Sequence, residues 1–206
     1  MTATLTTAMF AAVLSAAAEG SAGSAPSTAP PSKDESVLRA QVNSYLGSND
    51  VRPQGWRELG PAALPFVTKV ATDRDAAPPR RIRAIQAISI IGSRSDAPLV
   101  VDLARSESEP NQLRLEAMRA AVKLMPKPDA VAALKPMLRG ARTVRMRAAA
   151  AEQLTHLSRR QCSFVRAQAE REKKRDHKLF QRALRRCSAR SEPSEAAAPA
   201  EPAPEQ

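Results

Sequence analysis

Aromatic residues make up only 3% of the 206 positions, with a single Trp and a single Tyr. A core with so few rings must be filled by small and branched aliphatic side chains, which is the filling that helix-on-helix contacts accept. Glycine occurs seven times and runs of β-branched residues are few, so the turns and strands of an all-β fold are not provided for. Histidine and cysteine occur twice each. His156, His177, Cys162 and Cys187 show no Cys-x-x-Cys or His-x-x-x-His spacing, which leaves no metal cage. Nor does either histidine stand at a spacing that would bring a base to a thiol on a continuous helix. A glycine-rich phosphate loop, a Gly-x-Ser-x-Gly elbow and a carboxylate pair placed for acid–base work are also missing. The sequence therefore names no catalytic residue, no cofactor site and no metal site, and a non-enzymatic protein is expected.

No Lys or Arg precedes Lys33. The leader instead carries an apolar run, Phe10 to Ala18, too short to span a bilayer and followed by small residues at Ala16 and Ala18 before Glu19. Residues 1–25 are expected to be a signal peptide, which makes the protein exported, periplasmic or secreted. The missing basic n-region departs from that pattern, and without a working signal the protein would be cytoplasmic. No later stretch is apolar enough for a membrane span. Residues 26–33 and 189–206, built from Ser, Ala, Pro, Thr and Glu, cannot bury a core and are expected to be a disordered linker and tail.

Between them the chain repeats itself. Arg81-Ile82-Arg83-Ala84-Ile85-Gln86-Ala87 returns as Arg114-Leu115-Glu116-Ala117-Met118-Arg119-Ala120 and as Arg145-Met146-Arg147-Ala148-Ala149-Ala150-Ala151, 33 and then 31 residues on. Val70, Leu103 and Leu134 each stand 11 residues before the repeated arginine. Units of this length are the mark of helix pairs stacked in a row. The reading is an all-α fold, a short α-solenoid of about three helix pairs over 60–93, 94–127 and 128–158. Capping helices are expected over 34–59, with Trp56 and Leu59 plugging the open end, and over 159–188. Gly47, Gly60, Gly92 and Gly140 stand at helix ends, and Pro61, Pro78-Pro79, Pro110 and Pro128 at helix starts.

The motif Arg81-x-x-Ala84-x-x-Ala87-Ile88 with its copies, and the opening Pro61-Ala62-Ala63-Leu64-Pro65, resemble the HEAT-repeat family, especially its short bacterial HEAT-like, PBS-lyase-type members. The resemblance covers roughly residues 56–157. It implies an α-solenoid that binds other macromolecules along a curved surface. A family trait is an Asp six residues before the arginine, forming a ladder between units. Asp75 fits Arg81, while Ser108 and Arg139 stand in the matching places before Arg114 and Arg145. The plain role for Arg81, Arg114 and Arg145 is to bond turn carbonyls of neighbouring units and fix the stacking.

Two features remain. In an exported protein Cys162 and Cys187 read as one disulfide; in a reducing compartment they would be free thiols. The net charge is +11, and much of it gathers near the end of the ordered region. Arg171, Lys173, Lys174, Arg175, Lys178, Arg182, Arg185 and Arg186 are a candidate patch for a polyanion such as nucleic acid, lipopolysaccharide or acidic polysaccharide, or a solvated helix face. The expected partners are thus a protein of unspecified identity and, as the alternative, a polyanion.

Overall fold

A computed structural model describes residues 33–48 and 52–188 of the chain, and every regular element among them is helical. The expected leader, nearly all of the linker and the expected tail lie outside the described residues. Ten α-helices follow one another: α1 (Lys33–Gly47), α2 (Pro53–Leu59), α3 (Leu64–Thr72), α4 (Pro78–Ile91), α5 (Ala97–Arg105), α6 (Asn111–Leu124), α7 (Lys127–Gly140), α8 (Val144–Leu157), α9 (Cys162–Glu170) and α10 (His177–Ser188). None is long and apolar enough to cross a membrane.

Local chemistry sets these limits. Proline stands in the first turn of α2, α3, α4, α5 and α7, where its missing N–H has no intrahelical acceptor to lose. The short 3-10 turn before α5 is closed by a reciprocal pair: the Ser93 backbone N–H donates to Asp96, whose own backbone is capped by the Ser93 side chain. Thr143 caps α8 by accepting from the Met146 N–H. Gly60 joins α2 to the next turn at φ 63°, a left-handed value that a side chain would strain.

Helices pack as consecutive pairs: α3 with α4, α5 with α6, α7 with α8, α9 with α10. The second members also pack on one another in chain order, α4 on α6, α6 on α8 and α8 on α10. They begin at Pro78, Asn111, Val144 and His177, so the step is 33 residues each time. Their buried positions are rich in alanine. Ala84, Ala87, Ala117, Ala120, Ala121, Ala150 and Ala151 are all buried, and small side chains let helix axes come close. Larger side chains fill the spaces between pairs, among them Ile85, Ile88, Leu113, Met118, Leu134, Leu138, Met146 and Leu154, each 2% exposed or less. Truncating any of these to alanine would cost about 2–5 kcal/mol.

The cap expected over 159–188 consists of two helices, α9 and α10, which pack on each other as a fourth pair. One expectation is corrected. The third copy of the motif is out of register by two residues. The fourth residue of α4 is Arg81 and of α6 is Arg114, but the fourth residue of α8 is Arg147, not Arg145. Arg145 is exposed. The helix α8 itself keeps the 33-residue step, but α7 has 14 residues where α3, α5 and α9 have nine. Its extra length consumes the turn, leaving residues 141–143 before α8 against 73–77 and 106–110 in the earlier pairs.

At the amino-terminal end α1 lies on α3 and α4, and α2 on α4. Val42, Leu46 and Trp56 are buried there, the Trp56 ring meeting Tyr45 edge-on at 5.3 Å. Leu59 is half-buried, and Val37 is exposed. Arg80 bonds the Asn43 side chain and Arg83 the Leu46 carbonyl, tying this end to α4.

Candidate functional site

Three arginines at the fourth position of a second helix run along the inside of the molecule. Arg81 is 3% exposed. Its Nε donates to the Ala71 carbonyl at the end of α3, and its Nη1 and Nη2 donate to the two oxygens of Glu109 at 2.7 and 2.9 Å. Glu109 is itself buried and comes from the turn of the following pair. A planar fork on a planar carboxylate is the strong form of this interaction. Removing either partner would strand a buried charge, a loss of about 3–5 kcal/mol.

Arg147 repeats the arrangement two helix pairs further on. Its Nε and Nη2 donate to the oxygens of Glu172 at 2.6 and 2.7 Å, and Nη1 donates to the Ala141 carbonyl at 2.6 Å. Glu172 lies between α9 and α10, again in the turn of the next pair. The hydrogen bond from Arg147 holds the Glu172 carboxyl below the usual carboxylate range. Burial opposes this, while the Arg147 charge and a Gln168 hydrogen bond add to it. The same bond raises the Arg147 guanidinium.

Arg114 stands between the two and is 4% exposed. Its Nε donates to the Ala104 carbonyl at 3.2 Å, the counterpart of the Ala71 bond. No carboxylate of the described residues lies within ion-pair distance of it. The turn of the following pair, shortened to Ala141-Arg142-Thr143, holds no acid. Arg114 faces a cavity of about 200 Å³ instead.

Sequence reasoning placed the ladder acid at Asp75. Asp75 is exposed, and Arg81 turns to Glu109 of the next unit. Glu109, Arg147 and Glu172 were all missed. The signal for Arg147 was present: a step of 33 residues from Arg114. It was masked by Ala148 to Ala151, which supply an Arg-x-x-Ala match in either register.

The expected basic patch is open to solvent throughout. Arg171, Lys173, Lys174, Arg175, Lys178, Arg182, Arg185 and Arg186 are all exposed. Lys178, Arg182 and Arg185 fall at helical spacing on one stripe of α10, whose other side buries Phe180 and Ala183. Arg186 contacts His156 Nδ1 on α8. His177 Nε2 is 3.0 Å from the Glu172 carbonyl. Cys162 and Cys187 are joined, with sulfurs 2.11 Å apart, so the start of α9 is bonded to the end of α10. Among the described residues no group of three His, Cys, Asp or Glu side chains gathers as a metal site would need.

No protein-family model, curated protein or solved structure matches the chain.

Proposed function

We propose that the chain is an exported, non-enzymatic binding module, a short α-solenoid of HEAT-like helix pairs that docks a partner protein. The observation that supports this reading is the equal 33-residue step of α4, α6, α8 and α10, whose helices pack on one another in chain order. Repeats of that kind keep their buried positions alike while their exposed positions vary, so a long surface is assembled from short units. On this reading the units number four, not three. The Cys162–Cys187 bond supports export, because structural disulfides belong to oxidising compartments.

A second reading is polyanion binding at the carboxy-terminal end. It is favoured by one observation: all eight basic residues named there are exposed, and three of them share a stripe of α10.

One experiment separates the two. The purified chain is immobilised and challenged with an exported-protein fraction, and in parallel is passed over heparin at rising salt. A stoichiometric protein complex that survives about 1 M salt, where the screening length is about 3 Å, supports the first reading. Retention on heparin that falls steeply with salt, and is lost when Lys173→Glu, Lys174→Glu and Arg175→Glu are combined, supports the second. A chain that forms no complex and passes heparin without delay would sink both.

A further inference from the structure

We propose that Arg114 and the cavity in front of it form a carboxylate-binding site between the second and third helix pairs. The site is the place that Glu109 and Glu172 fill for the neighbouring arginines. The proposal stands on this geometry and does not depend on the partner-docking reading above.

The comparison of the three arginines carries the inference. Arg81 and Arg114 use Nε in the same way, each donating to the carbonyl of the residue ten positions earlier. That bond leaves Nη1 and Nη2 for another partner. For Arg81 those two nitrogens meet both oxygens of Glu109. Arg114 instead lines the cavity of about 200 Å³, with Arg105, Glu107, Pro136, Met137 and Ala141. No carboxylate of the described residues comes within ion-pair distance of its fork, Glu107 on the cavity wall included.

Burial favours a counterion here. Arg114 is 4% exposed and bonds through Nε, while its other nitrogens still meet solvent in the cavity; arginines this buried are ordinarily paired. An incoming carboxylate meets a donor that needs no reorganisation, beside the apolar walls of Pro136, Met137 and Ala141, where a charged hydrogen bond is stronger than in water. Arg105 at the exposed rim adds attraction, and Glu107, also exposed, opposes it. The volume suits a small group: a two- to four-carbon acid, or one Asp or Glu side chain or terminal carboxylate of a peptide.

The test uses the full chain labelled with ¹⁵N-arginine, following assigned Nε–Hε signals while sodium acetate replaces sodium chloride at constant ionic strength. Arg114 is expected to shift saturably in the roughly millimolar range, with Arg81 and Arg147 unmoved. No shift at Arg114, or equal shifts at all three arginines, would overturn the site. The Arg114→Gln variant should lose the protection against thermal unfolding that acetate gives. Should that variant not fold, Glu107→Gln serves instead. It alters only an exposed rim residue and is expected to tighten acetate binding about twofold to threefold; weaker binding in Glu107→Gln counts against the site. A short peptide ending in Glu is titrated beside acetate. Binding at least tenfold tighter identifies a peptide carboxylate as the occupant, and equal affinity identifies a small acid.

Discussion

Arg147 and Glu172 make the molecule sensitive to acid at one defined point. The Glu172 carboxyl lies below its ordinary value in the folded state, chiefly through the Arg147 hydrogen bond. A lowered folded pKa means that its contribution to stability is present in full above the usual carboxylate range, about pH 4.3, and is lost as pH falls through the folded value. The Glu172→Gln variant is expected to be less stable by about 1–2 kcal/mol at neutral pH. Its stability should also fall less steeply than that of the native chain below about pH 4. Denaturant titrations between about pH 2 and pH 7 check this, and parallel acid limbs for the two proteins would show that the pair is not the acid-sensitive element. Exposed ties such as Arg94 with Asp129, 2.7 Å apart with the arginine side chain 73% exposed, should contribute no more than about 1 kcal/mol.

Among the elements, α9 and α10 depend most on covalent help. α9 buries Val165, Gln168 and Ala169, and α10 buries Phe180 and Ala183, a small apolar contribution beside that of α6 or α8. Phe164 is only half-buried, with Lys135 and Arg139 of α7 over its ring at 5.7 and 4.8 Å. The disulfide closes a segment with a sequence separation of 25 residues, worth on the order of 3 kcal/mol by the chain-entropy model. Reduction is therefore expected to raise amide hydrogen exchange in α9 and α10 first, with α4 and α6 little changed. Exchange that rises uniformly along the chain would mean that the bridge supports the whole array and not its last pair. The elements differ likewise in how far they could be read. Proline marks the starts of α3, α4 and α5 and glycine the end of α4, and the apolar positions recur at helical spacing, so the all-helical class was legible. The break between α9 and α10 was not, because Arg171 to Arg175 carries helix-forming charged residues with no glycine or proline. What decides the break is tertiary: Glu172 turns inward to Arg147, and Phe180 is buried where it lies.

For the molecule as a whole, the order of the helices follows from their composition, whereas the ladder of charges does not. A buried arginine and its acid sit 28 residues apart in one rung and 25 in the other, Arg81 with Glu109 and Arg147 with Glu172. No fixed spacing announces such a pair, and only the fold brings it together. The short turn after α7 holds no acid, so the middle rung goes without one, whereas the end of α7 was legible from Gly140 itself. The last rung has a different occupant again. The fourth residue of α10 is Phe180, fully buried, in the place of the arginines. An arginine there would reach for an acid from a next turn that the described helices do not contain, whereas a phenyl ring asks nothing of a successor. At this position the fold is held by burial of a ring and not by an ion pair.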